Sequence, residues 1–67
     1  MKKLLLTYGL TYNEQYYQMI DDSFLNGQKK QAESQFKALP KEEKKKYLIR
    51  LNDNGETEQL NFFINLI

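Results

Sequence analysis

The chain has no cysteine, no histidine and no tryptophan, and only one proline and three glycines in 67 residues. Each absence closes off a class of explanation. Without cysteine there is no disulfide to staple a small fold and no thiolate to hold zinc or attack a substrate. Without histidine the usual base of a hydrolytic triad is missing, as is the commonest nitrogen ligand for a metal. The three glycines stand far apart, at 9, 27 and 55, so no glycine-rich loop can cradle a phosphate. Long apolar runs are absent too. Met1-Lys2-Lys3-Leu4-Leu5-Leu6 begins like a secretory signal, yet its apolar core stops at Thr7-Tyr8-Gly9, short of the roughly 7–15 residues such a signal needs. Nothing approaches the ~20 apolar residues of a membrane span. The expectation is a cytoplasmic protein that binds no metal or cofactor and is not an enzyme.

Two near-matches to functional motifs fail on their chemistry. Asp21-Asp22 offers two carboxylates, but neighbours on a helix point about 100° apart, so they read as a solvated helix edge. Arg50 to Asn61 has the length of a calcium loop, with Asn52, Asn54 and Gly55 at suitable offsets. Arg50 and Asn61 stand where the first and last carboxylate ligands are required, which removes the site.

What remains is a single small domain spanning 1–67. Domains of this size bury only about 60% of the surface their unfolded chains expose, so packing, helped by a partner or a second copy, must hold it. The net charge is +1, unevenly spread. Residues 28–50 carry eight basic side chains against three acidic ones, while 51–67 carry Asp53, Glu56 and Glu58 and no basic residue.

The apolar spacing predicts an all-α fold, a small four-helix arrangement of two α-hairpins over 12–26, 28–39, 40–53 and 56–67. A short N-terminal lead-in precedes it, either extended or a turn of helix. Thr11-Tyr12-Asn13-Glu14 fits a capping box. Tyr12, Tyr16, Met19, Ile20 and Phe24 then share one arc. Asn26-Gly27 ends that helix, because glycine adopts the left-handed closing conformation without steric cost. Ala32, Phe36 and Leu39 give the next helix a thin stripe, and Pro40 stops it. Pro40 also suits the start of the following helix, whose Glu42 and Glu43 lie at its positive end and Arg50 towards its negative end. Tyr47, Leu48 and Leu51 form its apolar face before Asn54-Gly55 closes it.

An offset of 28 aligns Asn26-Gly27 with Asn54-Gly55, Glu14 with Glu42, and Gln31 with Gln59. Ala32, Phe36 and Leu39 then fall on Leu60, Ile64 and Ile67. A duplicated hairpin and plain helical periodicity with a shared stop signal both produce this pattern. On the last helix Leu60, Phe63, Ile64 and Ile67 share one face, expected to complete the core. Phe62 and Leu66 lie near the opposite side and need another cover, either the leucines of the lead-in or a second protein.

Two surfaces could bind a macromolecule. The aromatic and apolar candidates for a protein partner or homodimer contact are Tyr17, Phe62 and Leu66, tyrosine being favoured at interfaces for its area and polar tip. The basic candidates for nucleic acid or an acidic partner are Lys29, Lys30, Lys44, Lys45, Lys46 and Arg50. Pairing of Glu42 with Lys46 and of Glu33 with Lys37 would instead make that face an ordinary solvated flank. A helix-turn-helix at Asn26-Gly27 would present Gln28, Lys29, Lys30, Gln31 and Gln35 to base edges. Small cysteine-free chains rich in Lys, Asn and Gln are of the type common among adaptors and inhibitors, those of phages and mobile elements included. A protein-binding regulator or inhibitor is therefore the leading expectation, and a nucleic-acid-binding regulator the alternative.

Overall fold

The computed structural model describes all residues 1–67 and contains five helices and no strand. They are α1 (Lys2–Thr7), α2 (Asn13–Leu25), α3 (Lys29–Lys37), α4 (Lys41–Asp53) and α5 (Thr57–Ile64). The all-α expectation holds, and α2 packs chiefly on α3, as α4 does on α5. The lead-in forms a helix of its own, α1, in addition to the four expected. Leu5 is buried, Met1, Leu4 and Leu10 pack against the core, and the ring of Tyr8 meets Tyr16 edge-on at 5.7 Å.

Three helices stop by the same device. At the end of α2, Gln28 N–H donates to Ser23 O at 2.9 Å and Gly27 N–H to Phe24 O at 3.2 Å. At the end of α4, Glu56 donates to Leu51 O at 3.0 Å and Gly55 to Asn52 O at 3.1 Å. These are Schellman pairs, which satisfy carbonyls the helix leaves open and need a left-handed residue between. Gly27 at φ +81 and Gly55 at φ +72 supply it. Gly9 does the same for α1, with Leu10 N–H on Leu5 O at 2.8 Å. A Cβ at Gly27 or Gly55 meets nothing within 4 Å, so the penalty for a side chain there is conformational alone. Gly27→Ala and Gly55→Ala should each lose about 1–2 kcal/mol in urea titration; unchanged midpoints would show that these glycines do not close the helices.

Two caps differ from expectation. The N-cap of α2 is Tyr12, and the side chain that turns back is Gln15, whose Oε1 accepts from Thr11 N–H at 2.7 Å and Tyr12 N–H at 2.9 Å. Gln15 is as able as glutamate to fill that role, and Glu14 is released for another partner. Pro40 is the N-cap of α4, its carbonyl accepting from Lys44 N–H at 2.9 Å.

The core is aromatic, and each of the four longer helices contributes to it. Phe36 of α3, Tyr47 of α4 and Phe63 of α5 form a triangle with centroids 4.9, 5.4 and 5.9 Å apart. Phe24 of α2 lies 5.9 Å from Phe63. Burying side chains of this size stabilises by about 1.5–3 kcal/mol each, and the tilted and edge-on contacts suit the ring quadrupoles.

The face of α5 corrects the sequence reading. Phe63 and Gln59 are buried, Leu60, Phe62 and Leu66 pack against the core, and Ile64 and Ile67 are exposed. Relative to expectation the helix is turned by about one residue, or 100°. The stop signals repeat at an offset of 28, but the buried faces repeat at 27: Ala32, Phe36 and Leu39 correspond to Gln59, Phe63 and Leu66, and Ile20 and Phe24 to Tyr47 and Leu51. A buried glutamine conceals that stripe from any reading based on apolar residues.

Candidate functional site

The largest polar cluster lies between α2 and α4. Glu14, Tyr17 and Asp21 recur along one edge of α2, and Glu43, Tyr47 and Arg50 along one edge of α4, at spacings of three and four residues that keep each set on one side of its helix. Arg50 forks onto Glu14, with Nε donating to Oε1 at 3.0 Å and Nη2 to Oε2 at 2.6 Å, and its Nη1 donates to Asp21 Oδ2 at 2.9 Å. Its guanidinium also lies over the rings of Tyr17 and Tyr47, at 5.7 and 5.9 Å. The Tyr47 hydroxyl donates to Asp21 Oδ1 at 2.7 Å, and the Tyr17 hydroxyl to Glu43 Oε1 at 2.6 Å. Gln59 of α5 closes the cluster, its Nε2 donating to Asp21 Oδ1 and to the Tyr47 oxygen. Inside the other hairpin, Ser23 donates to Gln35 Oε1 at 2.9 Å and the Tyr16 hydroxyl to Gln35 O at 2.7 Å. No buried side-chain nitrogen or oxygen is left without a partner.

The protonation states follow from these contacts. Hydrogen bonds donated to the Glu14 and Asp21 carboxylates hold the Arg50 guanidinium protonated against the opposing effect of burial. Burial raises all three phenols, assisted by the carboxylate each faces at Tyr17 and Tyr47, and pushes Tyr16 up to about 12. The bond from Tyr17 holds the Glu43 carboxyl below its ordinary value. Phenols of this kind neither attack nor accept protons at neutral pH. The cluster links the hairpins and offers no free nucleophile or base; the surface has no cavity, and no three carboxylates converge to hold a metal.

A pH dependence with a definite sign follows. A phenol raised by folding contributes stability that is complete below its unfolded value, 10.0, and lost as pH rises towards the folded one. For Tyr16 alone that loss is roughly 2–3 kcal/mol by pH 12, and Tyr17 and Tyr47 add to it. Glu43 acts at the other end: its contribution is present above the ordinary carboxylate range and lost as pH falls through its lowered value. Urea midpoints should therefore fall steeply above pH ~10; a flat alkaline limb would show that the three phenols are not buried.

The sequence-predicted site residues divide into several environments. Tyr17 is buried against Arg50 and Tyr47 and belongs to the core. Phe62 lies against Phe24 and Phe63 at 5.3 and 5.0 Å, and Leu66 is half-buried on the core. For Phe62 the ring of Phe24 stands where the leucines or a partner were expected, with the Lys29 ammonium 6.0 Å from the Phe62 ring. Lys29 also sits 5.3 Å from Phe24. Arg50 leaves the basic set because Glu14 and Asp21 engage it. Lys46 pairs with Glu43 at 3.4 Å, one residue from the expected Glu42, while Lys37 pairs with Glu33 at 3.9 Å as the spacing indicates. Lys30 and Lys45 are exposed and Lys44 half-buried, none of them in an ion pair, and Gln35 is buried, removed from any recognition surface.

No protein-family model, curated protein or solved structure matches the chain. Its surface must therefore speak for itself. Ile64 closes α5 and Ile67 follows it three residues on, 51% and 75% exposed, while Leu60, one turn earlier, is half-buried and packs against the core. The sequence reading assigns all three, with Phe63, to the core; Leu60 and Phe63 are found there and the two isoleucines are not. Nothing in their spacing alone distinguishes the two apolar sides of this helix; the clue was Gln59, a polar residue with partners waiting in half-buried Asp21 and buried Tyr47. No helix is long and apolar enough to cross a membrane.

Proposed function

We propose that this chain is a small, non-enzymatic protein-binding module, a regulator or inhibitor, whose contact surface is the outer face of α5. One observation carries the reading: Ile64 at the end of α5 and Ile67 just beyond it are left exposed, while Leu60, Phe62 and Leu66 pack against the core. Exposed apolar patches on small proteins mark interaction sites. The polar groups that might have done chemistry are occupied with one another, which supports binding over catalysis. Among the basic residues, Arg50, Lys46 and Lys37 are paired and Lys29 lies against aromatic rings, which favours a protein over nucleic acid as the partner.

The double substitution Ile64→Ser with Ile67→Ser tests this surface. Both side chains are exposed, so stability should stay within about 0.5 kcal/mol of the parent. Self-association in light scattering, or capture of a partner from the native host, should be lost. Retained association by a folded double mutant would remove α5 from the interface. Retention on nucleic acid that weakens steeply with salt, and flattens on changing Lys30, Lys44 and Lys45 to glutamine, would favour the nucleic-acid reading instead.

A further inference from the structure

Asparagine followed by glycine is a dipeptide with its own reactivity. The glycine nitrogen can attack the asparagine Cγ, because no side chain on the following residue hinders the approach. The C–N bond of the side-chain amide breaks, ammonia leaves with the transferred proton, and a succinimide ring remains. Water then opens the ring at either carbonyl, giving aspartate or its β-linked isomer, in which the main chain runs through the side-chain carbon. Water is the only other reactant.

Both Asn-Gly pairs are exposed at helix ends, with nothing within 4 Å of where a glycine Cβ would stand. Both are also held in an unreactive shape. Ring closure requires the glycine nitrogen to eclipse the asparagine Cβ, whereas ψ of 6 at Asn26 and 0 at Asn54 makes it eclipse the residue's own nitrogen instead. The attacking N–H groups are engaged as well, Gly27 on Phe24 O and Gly55 on Asn52 O. Reaction therefore waits for the turn to open, and the two turns are secured differently. Across the first, Lys29 reaches back over the Phe24 ring, and α3 beyond it buries Ala32, Gln35 and Phe36. Beyond the second, α5 fully buries two residues, Gln59 and Phe63; its Leu60 and Phe62 are only half-buried on the core, and Ile64 is exposed. A helix with fewer fully buried residues to hold it opens more often.

We propose that Asn54-Gly55 is a self-modifying site gated by opening of the α4–α5 turn, and that its conversion releases α5 from α4. Either product puts a carboxylate at the negative end of α4, beside Asp53 and Glu56, where the helix dipole opposes it. The β-linked product also lengthens the main chain by one carbon within the turn that the Schellman bonds define, so those bonds cannot re-form in register. Because ammonia is lost, asparagine is not regenerated and the modification is one-way.

The test is to age the full chain in mildly alkaline buffer, with and without denaturing urea, and to follow both sites by peptide mapping with β-aspartyl detection. In the folded chain position 54 should convert several-fold faster than position 26, and in urea the two rates should converge. The converted species, separated by its added charge, should unfold at lower urea than the parent, and Asn54→Gln should abolish its appearance. Equal rates in the folded chain, faster conversion at 26, or no conversion while the urea sample reacts to completion would each overturn the proposal. So would a converted species as stable as the parent.

Discussion

Replacing Phe63 with alanine should destabilise the protein more than any other single truncation on α5, by about 3–5 kcal/mol. Phe63 is fully buried and its ring meets those of Phe24, Phe36, Tyr47 and Phe62, so the cavity opens where four helices converge. A domain of this size has roughly 3–10 kcal/mol of total stability. The substitution should therefore leave a largely unfolded population at 25 °C, seen as loss of helical dichroism. Phe63→Leu retains much of the buried area and should keep the fold at reduced stability. Ile64→Ala, one residue further along, should change stability by no more than about 0.5 kcal/mol because that side chain is already in solvent. The contrast fixes the rotation of α5. Equal losses at 63 and 64 would return the helix to the face its apolar spacing first suggests.

That rotation marks where the fold ceases to be legible in the sequence. The helices, their order and their hairpin pairing follow from local chemistry: glycine at the stops, proline before α4, apolar residues at helical spacing. α1 was half-visible, because Gly9 carries the same stop signal as Gly27 and Gly55 but lacks the asparagine that draws attention to them. The side of a helix that faces inward depends on partners distant in sequence. Gln59 is buried only because Asp21 and Tyr47 receive it, 38 and 12 residues away. Asp21 likewise reads as a solvated edge until Arg50 and Tyr47 are brought to it. Polar residues that satisfy one another have the composition of a surface and the location of a core. For the same reason the candidate interface moved: Tyr17, the best-placed aromatic by sequence, was claimed by Glu43 and Arg50, and Ile64 and Ile67 took its place outside.

Removing the Arg50 guanidinium should have the second largest effect, and its size depends on which carboxylate is left behind. Glu14 is about half exposed, its side chain at 53%, and recovers water when the arginine is lost. Asp21 is 20% exposed and keeps Tyr47 and Gln59 as donors, yet it loses its only opposite charge. Breaking a fully buried pair costs about 3–5 kcal/mol; partial access to solvent here brings the expected cost of Arg50→Met to about 2–3 kcal/mol. Methionine keeps much of the apolar stem against Tyr17 and Tyr47, so the loss reports charge and hydrogen bonding more than packing. Arg50→Lys should fall between, since an ammonium cannot fork onto Glu14 and reach Asp21 together. Adding Asp21→Asn to Arg50→Met removes the stranded charge and should restore part of the stability. The coupling between the two positions, read from the double-mutant cycle in urea, should exceed about 0.5 kcal/mol. Additive losses, or an Arg50→Met variant as stable as the parent, would mean that the hairpins are held together by the aromatic triangle alone and that the arginine merely rests on its surface.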